Sequence, residues 1–249
     1  MHSERRRSII VWGPAGSGKS VYLTSLVFWL AREREQPHLA VLPADEASAD
    51  WVSRRTRPVG DGVSLIPRGP DAHRYLFRVY ETNAADDSGR ARSRLVAELT
   101  PGDGTRGDPS RTLLADAAGV LLLLPVPTMS RSSDARAAHV AWLTAALAGL
   151  PETLAPAPSV AVPVAVCLTQ TDAVPDAARR DAAQWLESFG SETMSALRAH
   201  CARFEIFKIS ALGHVPRSQD GVELLATMPE PHGVLAPIRW VLSQHEAAA

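Results

Sequence analysis

Residues Gly13, Pro14, Ala15, Gly16, Ser17, Gly18, Lys19 and Ser20 follow the pattern G-x-x-x-x-G-K-[ST] without a departure. The residue types suit a polyphosphate. Glycines let the backbone curl so that successive N–H groups face phosphate oxygens. A helix starting near Lys19, with Val21 in its first turn, aims its positive end at the same point. The Lys19 ammonium would bridge the β- and γ-phosphates, and the Ser20 hydroxyl would ligate Mg²⁺. The stretch predicts a site for a nucleoside triphosphate or diphosphate together with that ion.

Such a loop needs a strand before it and a helix after it. Ser8–Trp12 (SIIVW) is a short β-branched apolar run that stops at Gly-Pro, which reads as a buried parallel strand. Lys19–Glu33 carries apolar residues at 21, 23, 26, 27 and 30, the spacing of a helix. Further strands are predicted at Val63–Pro67, Tyr75–Thr82, Ala118–Val126, Val160–Leu168 and Phe204–Ile209. Helices are predicted at Asp134–Leu150, Ala177–Phe189, Ser191–Arg203 and Val234–His245. Two segments read as irregular and switch-like, near 36–70 and 84–112, the second with a helix at Arg90–Leu99. Alternating strands and helices along the chain predict an α/β fold, a three-layer sandwich in which a mostly parallel sheet carries helices on both faces. At 249 residues with no internal repeat, one domain is expected.

Two later strand ends carry further polar groups: Thr169-Gln170-Thr171-Asp172 and Ser210-Ala211-Leu212. Ligands of open α/β sheets bind at such ends. With these motifs the chain resembles the translation-factor and Ras-like (TRAFAC) class of P-loop GTPases. In that family an [NT]-K-x-D motif reads guanine and an S-A-[KL] motif donates a backbone N–H to the base. The resemblance implies that Thr169 braces the phosphate loop, that Asp172 pairs with guanine, and that Ala211 supplies the N–H between Ser210 and Leu212. Gln170 stands where the family has lysine, so it can lie on the ring but without the charge. The resemblance runs through nearly the whole chain in element order, and its nearest type is the bacterial stand-alone small GTPase that works with protein partners. Read without the family, Thr169–Asp172 is also a strand end followed by a helix cap.

The catalytic pattern departs further from the family. Where its D-x-x-G motif is expected the chain reads Glu81-Thr82-Asn83-Ala84. The resemblance implies that Glu81 holds a Mg²⁺ water, and that Ala84 and Ala85 stand in for the family's glycine and glutamine, with Asp86 or Asp87 nearby. It also implies a Mg²⁺-binding switch threonine between the first helix and the second strand. Thr56 fits that spacing, and Arg54, Arg55 and Arg57 beside it are candidates to neutralise transition-state charge. The plain readings are a strand end entering a polar loop and an ordinary loop threonine among solvated arginines.

The expected function is a Mg²⁺-dependent, GTP- or GDP-binding switch with slow hydrolysis resting on Lys19, Thr56 and Glu81. Two alternatives stand beside it: a nucleotide-bound scaffold with little turnover, and an ATP-using P-loop enzyme. Net charge is −1, without the basic excess of a nucleic-acid binder. Two cysteines, Cys167 and Cys201, form neither a disulfide framework nor a zinc spacing, which points to a reducing cytoplasm. The apolar runs are too short to span a membrane. Protein partners are expected, and nothing in the residues sets an oligomeric state.

Overall fold

In the computed structural model, residues 7–32, 39–60, 64–65, 75–81, 93–99, 117–149, 162–188, 191–219, 222–225 and 229–246 are described. The strands of the main sheet alternate their side chains between two cores. Ile9 and Val11 of β1 (Arg7–Trp12) face one side, while Ile10 and Trp12 face the other. The same period of two places Leu121 and Leu123 of β6 (Ala117–Pro125) with the first core, and Val120, Leu122 and Leu124 with the second. Strand β7 (Val164–Thr169) is buried at every position. Such continuously apolar strands belong in the middle of a parallel sheet covered on both faces.

The first face is covered by α1 (Lys19–Arg32), α2 (Glu46–Gly60) and α8 (Ala236–Glu246), through residues such as Leu23, Leu26, Trp51, Ile238 and Val241. The second is covered by α3 (Val126–Arg131), α4 (Ser133–Gly149), α5 (Pro175–Arg179), α6 (Ala182–Glu187) and α7 (Ser191–His200). Met129, Leu143, Leu147, Trp185 and Leu197 fill that core. The predicted single helix over Ala177–Phe189 is two short ones. Asp181 separates them and caps the second by accepting from the N–H groups of Ala183 and Gln184.

The main sheet has seven strands in the order β2-β4-β5-β1-β6-β7-β8, with β2 at Leu39–Pro43, β4 at Tyr75–Glu81, β5 at Ser93–Leu99 and β8 at Phe204–Lys208. Strands β5, β1, β6, β7 and β8 are parallel, and β4 is antiparallel to both β2 and β5. This is the expected α/β sandwich with a mostly parallel sheet. A small antiparallel sheet, in the order β3-β10-β9, joins Ser64–Leu65 to the hairpin of Arg217–Gln219 and Val222–Leu225.

Two expectations are corrected. The stretch 36–70 is largely regular, because it contains β2 and the 15-residue helix α2. Asp45 starts that helix, its carboxylate accepting from the Ser48 N–H at 2.8 Å, and Trp51 anchors it in the core at 2% exposure. Within 84–112, the predicted helix at Arg90–Leu99 is instead strand β5, which pairs with β1 from Arg7↔Leu95 to Val11↔Leu99. Local preference for a helix yields there to a strand position on each side.

Candidate functional site

The phosphate loop leaves the sheet at the C-terminal end of β1, which lies between β5 and β6. Its shape depends on glycine, most plainly at Gly13 and Gly18. A Cβ on Gly13 would lie 2.6 Å from the Leu123 carbonyl oxygen and 2.7 Å from the Ser17 Oγ, so no side chain fits. Gly18 has φ +85°, the left-handed region that glycine enters without steric cost. The Ser17 N–H donates to the Pro14 carbonyl at 3.1 Å and closes the turn. Lys19 folds back across it, its Nζ donating to the carbonyls of Gly13 at 2.6 Å and Pro14 at 3.0 Å. Its ammonium therefore sits over the loop opening, where phosphates would compete for it.

Thr169, at the end of β7, comes to this loop from 152 positions away. Its hydroxyl donates to the Ser17 carbonyl at 2.8 Å, at a site where Thr169 is 4% exposed. Gln170 follows in the left-handed region at φ 59°, a conformation costly for a residue with a Cβ. Its amide Nε2 donates to the Gly16 carbonyl at 2.9 Å. The amide thus spends a hydrogen bond on the loop itself, which holds the side chain beside Gly18.

Asp172 lies in the short turn Thr171–Ala173. Its Oδ1 accepts from the Ser210 hydroxyl at 2.8 Å, and the same hydroxyl oxygen accepts from the Gly213 N–H at 2.8 Å. The Thr171 N–H donates to the Ile209 carbonyl at 3.3 Å. Ser210 exchanges both backbone hydrogen bonds with His232, at 3.0 and 2.8 Å. The two distant motifs, Thr169–Asp172 and Ser210–Leu212, are thereby one hydrogen-bonded unit beside the phosphate loop. With one Oδ1 bond used on Ser210, the Asp172 carboxylate keeps further acceptor capacity for a ligand.

Of the other two candidates for Mg²⁺ and hydrolysis, Glu81 is held far from this place. Glu81 ends β4, which is antiparallel to β5, and pairs with Ser93. Ser93 lies before the level of Arg7, at the start of β1. At ~3.3 Å per residue the backbone of Glu81 is thus about 20 Å from the loop end of the sheet. The reason is topological: β5, where the residue pattern predicts a helix, holds the parallel place next to β1. The strand reaching the loop end is β5, through Leu99↔Val11. Thr56 lies in α2, after the second strand rather than before it. Of its neighbours, Arg54 Nε donates to the Asp50 carbonyl of the same helix, and Arg55 stacks 5.6 Å from the Trp51 ring centroid. Both arginines are thus engaged on their own helix. Ala84, Ala85, Asp86 and Asp87 lie outside the described residues.

Ser20, of the proposed Mg²⁺ ligands, is placed at the loop, in the first turn of α1. Among the described residues no three His, Cys, Asp or Glu side chains gather as a metal site. The donor set fits an ion that arrives with phosphate oxygens and water, the ordinary habit of Mg²⁺.

The sequence reading missed Tyr22 and Ser25 of α1. Both are buried, and the Ser25 hydroxyl donates to the Ala211 carbonyl at 2.6 Å. The available signal was a serine within an otherwise apolar helix stripe that includes Leu23, Leu26 and Val27.

No family model and no curated protein matches this sequence. Among solved structures, the chain is similar to the signal recognition particle receptor SRb-GTP/SRX complex from Chaetomium thermophilum. The identity is 12%, over 86% of this chain and 94% of that one, with a TM-score of 0.49. No helix among the described residues is long and apolar enough to cross a membrane.

Proposed function

We propose that the chain is a guanine-nucleotide-binding protein that takes GTP or GDP with Mg²⁺ and acts as a slow switch on protein partners. The observation that carries this reading is the convergence of Gly13–Ser20, Thr169–Asp172 and Ser210–Leu212 through the hydrogen bonds of Thr169, Gln170 and Ser210. The loop holds phosphates by backbone N–H groups, Lys19 and the α1 N-terminus. Asp172 accepts from the guanine edge, and the backbone N–H of Ala211 donates to the base carbonyl. Adenine presents the opposite donor and acceptor pattern, so Asp172 is the discriminating group. Segments ordered by the γ-phosphate and released on hydrolysis would carry the signal to a partner.

The experiment is a comparison of GDP and ADP affinity for the wild-type chain and for Asp172→Ala, with the copurifying nucleotide identified after denaturation. A preference for GDP that falls by at least about tenfold in the variant supports the reading. A wild-type preference for ADP, or a GDP preference that Asp172→Ala leaves intact, defeats it.

The position of Glu81 favours a second reading, a nucleotide-bound scaffold with little turnover. Lys19 and Ser20 remain as the polar groups for chemistry at the described part of the loop. Phosphate release from GTP that does not exceed that of Lys19→Ala selects the scaffold.

A further inference from the structure

We infer that Ser25 is a positioning residue for base recognition, aligning the Ala211 peptide through a hydrogen bond from the phosphate-binding helix; this rests on the guanine reading above. The geometry fixes both peptide units around Ala211. On one side the Ser210 carbonyl accepts from the His232 N–H at 2.8 Å, which turns the Ala211 N–H of the same peptide the opposite way. On the other side the Ala211 carbonyl accepts from the Ser25 hydroxyl at 2.6 Å. Ser25 is 5% exposed, so the donor itself is held inside the molecule against the base loop.

Tyr22 makes the same connection three residues earlier on α1. Its buried hydroxyl donates to the Val234 carbonyl at 2.8 Å, just beyond the His232 that pairs with Ser210. One helix face therefore holds both sides of the Ser210–His232 bridge. The helix that does so starts at Lys19 and Ser20. Phosphate site and base loop are thus parts of one hydrogen-bonded body. Removing the Ser25 hydroxyl frees the Ala211 peptide to rotate and leaves a half-buried carbonyl without its donor. The phosphate loop, whose own bonds run through Ser17, Lys19 and Thr169, is untouched by that loss.

The test compares wild-type chain and Ser25→Ala for binding of GDP, ADP and inorganic pyrophosphate, with melting temperature measured alongside. Alanine is a strong helix former, so α1 persists. Ser25→Ala is expected to weaken GDP by about tenfold and to narrow the GDP-over-ADP preference by the same factor, while pyrophosphate binding stays within about twofold. A merely structural role would weaken all three ligands alike, and that result overturns the inference. So does an unchanged GDP-over-ADP preference in Ser25→Ala. If the wild-type chain itself shows no preference for GDP, the guanine reading fails first and the positioning role with it.

Discussion

Among single residues, the polar groups that matter are those placed where water cannot reach. Thr169 and Ser210 are each 4% exposed and each spends its hydroxyl on another motif. A buried hydroxyl without a partner costs free energy, so these pairings fix the motifs relative to one another. His139 shows the opposite condition. It sits on α4 at 6% exposure, 5.7 Å from the Trp142 ring centroid, and its Nε2 has no hydrogen-bond partner among the described residues. Burial lowers its pKa from 6.5 to about 4. Above pH 6.5 the imidazole is neutral in folded and unfolded chains alike, and stability is unaffected. As pH falls from 6.5 toward 4, the unfolded chain takes up a proton that the folded chain refuses, so stability drops. The loss amounts to at most about 3 kcal/mol. Urea unfolding at a series of pH values should show this decline, and His139→Phe should flatten it. An equally steep decline in the variant would assign the effect to other groups.

Among elements, α2 and β5 decide which candidates can act. Arginines, Pro58 and Gly60 give 46–60 the composition of a loop. The Asp45 cap and the burial of Trp51 nevertheless make it a helix. Ser93–Leu99 (SRLVAEL) contains residues that favour helices, but it occupies the gap between β4 and β1. That one substitution of strand for helix reverses the direction of β4 relative to β1 and sends Glu81 to the far end of the sheet. Glu81→Ala should therefore leave GDP affinity, its Mg²⁺ dependence and GTP turnover within about twofold of wild type, as expected for a position distant from the ligand. Nucleotide titrations with and without Mg²⁺ check this. A loss of Mg²⁺-dependent affinity by about tenfold or more would return Glu81 to the metal site.

In the whole molecule, two cores share one sheet, and each encloses a cysteine. Cys167 lies under α1 and α8, and Cys201 lies at the end of α7. Burial pushes the Cys201 thiol up to about 12 and the Cys167 thiol further still. Thiolate is the reactive form, so both groups are inert while the fold is closed. At pH 8, labelling by a disulfide reagent should wait on unfolding and proceed at the rate of global opening. Saturating GDP should slow it, because a ligand bound only to the folded chain lowers the open population. Stoichiometric labelling within seconds in buffer would show that one core opens on its own.

The sequence alone determined the place of the phosphate loop, because the pattern of Gly13–Ser20 between a strand and a helix is local; the contacts of Leu123 and Thr169 with it are tertiary. It also determined the layered α/β class, since the apolar period of β1, β6 and β7 is local. The pairing of Thr169–Asp172 with Ser210–Leu212 was legible as two motifs at strand ends, but their hydrogen bonds span 38 residues and exist only after β7 and β8 lie side by side. Strand order was not legible. Whether Ser93–Leu99 is helix or strand depends on the vacancy beside β1, and that vacancy is a property of the assembled sheet. Tertiary structure therefore placed the Glu81 backbone at the end of the sheet away from the phosphate loop and brought Ser25 to the Ala211 carbonyl.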